Sequence, residues 1–325
     1  MKRSTLVLCL SIFMCLAATL TLTAQVKAYP DRPIDLIVPL PPGSAMDTAA
    51  RMLAEELGKI LGVEVVIVNK PGASLTVGTG FVARSKKDGY TLAYTAASGI
   101  VYSRVTSPDI VPYDPDADLE PLGLHLFLPL AIAVQADSPW KTFADFVDHA
   151  KKNPRKVRFG TNGQATIDHF NMGIIESLTG AQFTHVPFKG GDQTNMALLG
   201  GHIEAICHAY SVVMPHVEAG KLRFLLVSRK LPFDRDLPTI TELGYKQGLL
   251  SSWFVLYAPA GIPEEVKGVL VPAIKKAINN PDITAKITKL GNLVDYQSPE
   301  EQKKITTEDY KNACEVAEKL GLRKK

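Results

Sequence analysis

The chain has 325 residues, 46% apolar and 21% charged, with 24 glycines and 22 prolines. That is the balance of a folded globular protein with room for two domains, and it excludes a disordered or fibrous chain. The formal charge of +3 is carried by residues 1–28, which hold Lys2, Arg3, Lys27 and no acid; the rest is balanced at 33 basic and 33 acidic residues, leaving no broad basic face for nucleic acid or anionic lipid.

Lys2 and Arg3 precede the apolar run "LVLCLSIFMCLAATLTLTA". A basic start, an apolar middle and a small-residue end are the layout of a cleavable secretory signal over 1–28, with Val26 and Ala28 in the peptidase positions. An uncleaved anchor is the competing reading, because the run approaches membrane-spanning length. A lipoprotein is not expected, since Ile12-Phe13-Met14 before Cys15 lacks the required small residue. No later segment reaches spanning length, so the mature chain is expected in the periplasm and not in the membrane. Cys207 and Cys314 then remain, expected as two free buried thiols. No CxxC or metal-ligand spacing accompanies them.

"PIDLIVPL" reads as a buried strand, "DTAARMLAEELGKIL" as an amphipathic helix stopped by Gly62, and "EVVIVN" as a second strand. "TVGTGFVARSK" follows as a helix and "YTLAYTA" as a third strand. "TSPDIVPYDPDADLEP" looks like a surface connection and "LFLPLAIAVQ" like an extended apolar run. A second series follows: helix "TFADFVDHAKKNP", strand "KVRFGT", helix "IDHFNMGIIESLTG", strand "FTHVPF", helix "GDQTNMALLGG", strand "EAICHAY", helix "VVMPHVEAG" and strand "LRFLLVS". "SSWFVLYAP" is again extended, and "PEEVKGVLVPAIKKAIN" and "PEEQKKITTEDYKNACEVAEKLG" read as closing helices. Strands alternating with helices predict an α/β fold with parallel sheets. The spacing fits two lobes joined by two crossover strands: a first lobe of 29–130 plus 256–325 and a second of 131–255. Such a pair is built for hinge closure on a ligand.

Two strand-to-helix turns stand out. In open α/β sheets ligands gather beyond the carboxyl ends of strands, where a helix start offers unpaired N–H groups and partial positive charge. The first turn is Pro42, Gly43, Ser44, Ala45, Met46 and Asp47. Asp47 complicates it, because a carboxylate repels an anion unless it caps the helix. A plain turn with an Asp cap is an equally good local reading. The second is Thr161, Asn162, Gly163, Gln164, Ala165 and Thr166, with His169 one turn into the following helix. Such a histidine ordinarily packs locally against a backbone carbonyl; ligand contact is the alternative. Ser98, just past the third strand, and His208, near the end of another, complete the candidate ligand set. The stretch "NKPGASLTVG" is a further candidate wall.

Cys207 beside His208 suggests a nucleophile and base, but strand neighbours face opposite sides. No GxSxG, GxxxxGK[ST], GxGxxG or HExxH occurs, and the seven histidines form no ligand set, so neither cofactor nor metal is expected.

Taken together, "YPDRPIDLIVPLPPGSAMDTAAR", "VVIVNKPGAS", "KKDGYTLAY", "PYDPDADLEPL", "FGTNGQATIDH", "HVPFKGG", "LLGGHIEAI", "LPTITELG" and "APAGIPEE", in that order, resemble the substrate-binding receptors of tripartite tricarboxylate transporters, the Bug family. The resemblance covers essentially all of 29–325. It implies a periplasmic, two-lobed, type II Venus-flytrap protein without catalytic activity; separately, the chain is expected to be a monomer. It would deliver a small organic acid to the permease subunits of a membrane transporter. Similar proteins hold ligand carboxylates on the two turns named above, largely through backbone amides and water, with His169 at the family's histidine position. Departures from the pattern are Ser44 and Ser74-Leu75 where the family favours glycine, Ala165 for a glycine, and Cys207-His208 for a Phe-Asp pair. A same-shaped receptor for a sensor kinase, and an exported Cys207/His208 enzyme, are the remaining alternatives.

Overall fold

The computed structural model describes residues 29–322; the expected signal segment lies outside the described residues. In the first series β1 (Ile34–Val38) lies between β2 (Val65–Asn69) and β3 (Thr91–Ala96), and all three run parallel. Helix α1 (Ala45–Leu61) joins β1 to β2 and α2 (Thr76–Ala83) joins β2 to β3. Ala50, Leu53, Ala54 and Leu57 form the buried stripe that seats α1, Ser44 caps its start, and Gly62 at φ 73° ends it.

The run read as one extended stretch is two strands. β4 (Leu119–Leu128) belongs to the first sheet and β5 (Leu130–Gln135) to the second, with Pro129 between them. Proline has no N–H to give a ladder, so it falls where the chain leaves one sheet for the other. Its carbonyl instead accepts the Tyr210 N–H at 2.9 Å, and the Leu130 N–H reaches Ser228 Oγ at 2.9 Å.

The second series contains α3 (Phe143–Lys152), β6 (Arg158–Thr161), α4 (Ile167–Thr179), β7 (Thr184–Pro187), α5 (Gly191–Leu199), β8 (Ala205–Ala209), α6 (Tyr210–Glu218) and β9 (Leu222–Val227). Its sheet has the order β7-β6-β8-β5-β9. The chain returns on β10 (Ser252–Pro259), which pairs with both β3 and β4 in the first sheet. The return comes earlier than the expected residue 256, because Ser252 already pairs with Leu128. Helices α7 (Glu264–Ile278) and α8 (Pro281–Lys289), strand β11 (Leu293–Gln297) and helix α9 (Pro299–Lys319) close the chain, giving a first sheet of order β11-β4-β10-β3-β1-β2. The two-lobed α/β architecture with two crossovers is thus as expected. Helix α8 and strand β11 were not anticipated, and α9 does more than finish the first series. Ala313, Val316 and Ala317 join a core that includes Phe170 and Ile174 of α4, and Leu320 fills the space beside Gly173.

β4 starts at Leu119, ahead of the expected run, and Pro121 and Gly123 explain why it was hidden. The β4–β10 register slips between Leu256 and Tyr257, and Gly123 adopts φ 143°. The backbone groups freed there are met by the fully buried Gln302 of α9. Its Oε1 accepts the Gly123 N–H at 2.8 Å and its Nε2 approaches the Leu256 carbonyl at 3.5 Å. Gln302→Leu keeps the volume and orphans both groups, so it should cost about 2 kcal/mol. Urea unfolding checks this; a midpoint matching the wild type would show that the bulge needs no partner.

Candidate ligand-binding site

Three turns of the first sheet, after β1, β2 and β3, lie at one edge because those strands are parallel. The first is built inward. The Asp47 carboxylate is 2% exposed and accepts from the Gly43 N–H at 2.9 Å, Arg51 Nε at 2.9 Å, Arg51 Nη2 at 3.0 Å and Asn69 Nδ2 at 2.9 Å. Hydrogen bonds from Arg51 hold its pKa down to about 2, with Asn69 and Gly43 adding to the effect against the opposing pull of burial. The acid that looked repulsive to an anion is therefore neutralised by the arginine one turn along the helix. Sequence reasoning missed Arg51, although its i,i+4 spacing from Asp47 was the available signal. Ser44 Oγ accepts the Asp47 N–H at 3.2 Å, the Ser44 N–H bonds the Pro41 carbonyl at 3.4 Å, and Met46 is buried in the core. The N–H groups of Ala45 and Met46, the first two positions of α1, have no helical carbonyl behind them. Pro42, Gly43 and Ala45 are exposed.

The second turn is knitted from its own polar groups. Thr161 is buried, with Oγ1 2.7 Å from His185 Nε2. The Asn162 N–H donates to Asp168 Oδ2 at 3.2 Å, and its side-chain oxygen accepts from Thr194 Oγ1 at 3.2 Å. Thr166 Oγ1 donates to the Gly163 carbonyl at 2.9 Å, and Gln164 is exposed. His169 packs locally, but its partner is an amide rather than a carbonyl: Nδ1 accepts the Ala165 N–H at 3.2 Å while the ring stacks on His185 at 3.8 Å. Burial, then the neighbouring His185, push its pKa down to about 4, so it is neutral at pH 7.

A cavity of about 340 Å³ opens where the sheets meet. Ser74, Ser98 and Tyr102 line it from the first series, and Asn162, Ala165, Thr166, Asp168 and His208 from the second. Leu128, Leu130 and Ser252 of the crossovers also line it. Ser98, Asn162, Ala165, Thr166 and His208 of the candidate set thus come together. The Pro42–Asp47 turn does not line this cavity; the chain just before it is held by Asn69 at the end of β2, which bonds the Leu40 carbonyl, and by Gly78, which packs against Pro39. Tyr102 and Asp168 were not anticipated.

Three of the positions where the resemblance favours glycine have a backbone reason. Ser44 at φ −66° has no such need, whereas Ser74 and Leu75 take φ 51° and 76°, next to Ala73 at 43°, and Ala165 takes 61°. Side chains disfavour that region by roughly 1 kcal/mol each.

His208 Nδ1 accepts the adjacent Ala209 N–H at 2.6 Å, and Nε2 lies against Gly191, where a Cβ would come within 2.1 Å. Burial pushes its pKa down to about 4. Cys207 sits in the core and faces Asn171 Nδ2 at 3.8 Å; burial pushes its thiol well up. This is no nucleophile–base pair. Both thiols are free, and Cys314 is only partly buried, against expectation.

Asp168 is 2% exposed, and its Oδ1 has no hydrogen-bond partner among the described residues. Burial pushes its pKa up to about 7. An acid whose folded pKa exceeds its unfolded value holds its proton better when folded, so stability falls as pH rises from about 4 to 7. Asp168→Asn removes this dependence and should be more stable than wild type above pH 7 by roughly 2 kcal/mol, with the gap closing toward pH 4. Denaturant midpoints across that range check it, and a pH-independent gap would contradict it.

A family model described as "Tripartite tricarboxylate transporter family receptor" matches residues 49–322. A UPF0065 protein of Cupriavidus necator is 34% identical over 313 residues, covering 94% of this chain and 93% of the relative. A TctC solute-binding protein from Polaromonas superposes with TM-score 0.81 at 30% identity, over 90% of this chain and 99% of the other. Rpa4515 of R. palustris, solved with adipate, does so with TM-score 0.73 at 27% identity, over 90% and 98%. With its two-lobed fold and a cavity lined from both series, the chain belongs to the tripartite tricarboxylate transporter family of receptors, which are solute-binding proteins and not enzymes.

Proposed function

We propose that this receptor captures a small organic acid in the periplasm and hands it to the permease subunits of a tripartite-type transporter. One carboxylate docks on the Ala45 and Met46 amides, and the rest of the solute extends past Ser74 and Ser98 toward the Asn162–Thr166 turn. The supporting observation is that loops of both series, at Ser74 and Ser98 on one side and at Asn162, Ala165 and Thr166 on the other, line one cavity whose lining among the described residues contains no lysine or arginine. Backbone amides and a helix dipole are then the attraction available to an anion. The adipate held by Rpa4515 agrees with a carboxylate ligand. Closure about Pro129 and the entry to β10 would exclude water and strengthen those bonds.

Calorimetric titration of chain 29–325 with mono-, di- and tricarboxylates and aromatic acids should find at least one binder; silence across all of them would reject the reading. A sharper test removes one amide. Ala45 is the first helical residue, where proline is well tolerated, and Ser44 at φ −66° and ψ 160° already has a pre-proline conformation. Ala45→Pro should leave stability within about 0.5 kcal/mol and weaken carboxylate binding about tenfold, the loss of one hydrogen bond to a charged group. Unchanged affinity would place the carboxylate elsewhere.

A further inference from the structure

Resting on the reading above, we propose that the cavity selects the far end of the solute, taking a hydrogen-bond-donating hydroxyl or ammonium there rather than a second carboxylate. Seven buried side-chain polar atoms lack a hydrogen-bond partner among the described residues, and three of them, Tyr102 Oη, Asp168 Oδ1 and His208 Nε2, belong to residues lining this one cavity. All three residues are more than nine-tenths buried. Buried polar atoms are normally bonded; with His208 Nε2 seated against Gly191, the exceptions left on the two sides of the cavity, Tyr102 Oη and Asp168 Oδ1, point to a solute that completes them.

The chemistry of the wall says which solute. Among the described residues Asp168 is the only carboxyl or basic side chain in the lining other than the neutral His208, and no arginine or lysine there offsets it. Its Oδ2 is committed to the Asn162 N–H, which leaves Oδ1 to accept. The burial that raises its affinity for a proton is the same condition that makes a second anion unwelcome. His208 Nδ1 accepts from Ala209, so its proton sits on Nε2, which lies against the Gly191 backbone and is spent there. Ser74, Ser98, Tyr102 and Ser103 add hydroxyls. One acceptor amid several donors suits a hydroxyl, which gives one hydrogen bond and receives others. An ammonium satisfies Asp168 by charge. A carboxylate satisfies neither condition, because it brings no donor and a like charge.

The test uses solutes that differ only at the far end: hexanoate, 6-hydroxyhexanoate, 6-aminohexanoate and adipate, the corresponding four-carbon series, and benzoate, 4-hydroxybenzoate and terephthalate. Each is titrated calorimetrically into chain 29–325 and its Asp168→Asn variant at pH 8. On whichever skeleton binds, the hydroxy or amino acid should exceed the dicarboxylate at least tenfold, and Asp168→Asn should shrink that ratio at least tenfold. The hydroxy and amino arms separate the two donor groups. A dicarboxylate that binds as well or better, or a ratio untouched by Asp168→Asn, overturns this inference while leaving the carboxylate receptor standing. Silence from every acid overturns both.

Discussion

Four hydrogen bonds converge on the Asp47 carboxylate, from the Gly43 amide, two arginine nitrogens of Arg51 and the Asn69 side chain. They link the turn after β1, the first turn of α1 and the end of β2, so one buried charge sets the geometry of the whole lip. Removing an acceptor that gathers this many donors would leave several of them unpaired at once. The exposed face of the turn is left to main-chain N–H groups because the side chains that could have pointed outward are occupied underneath.

Asp47 and Asp168 are both nearly inaccessible, yet their environments oppose each other. Asp47 has a guanidinium and stays ionised far below neutrality, whereas Asp168 has one backbone amide and no cation. The first acid is structural. The second is left poised, and the two together show why counting charges near a cleft says little until their partners are known. The histidines divide similarly: His169 organises the loop through Ala165, and His208 is held neutral by its seat against Gly191.

Much of this was legible in the residues. The short apolar runs and the helical stripe of α1 revealed the α/β alternation, and of the two Gly-containing strand-to-helix turns the second supplies lining residues of the cavity while the first does not. What escaped had local causes. Pro121 and Gly123 masked the front half of β4, because the bulge that tolerates them is completed by Gln302, far away in sequence. Pro129 was read as part of one strand because sheet exchange is a tertiary fact. β11 is short and half-buried, and carries little periodic signal. Asp168 hid behind His169: a carboxylate early in a helix normally reads as a favourable dipole partner, and only its burial shows otherwise.

The left-handed residues on the rim carry a mechanical consequence. Glycine at 73–75 and 165 would relax the local torsions but free the chain to sample many shapes before closing. Alanine, serine and leucine accept torsional strain there and forbid most of those alternatives. A lip so stiffened is moulded in advance, giving up tolerance for oddly shaped guests in return for losing little disorder when the right one arrives.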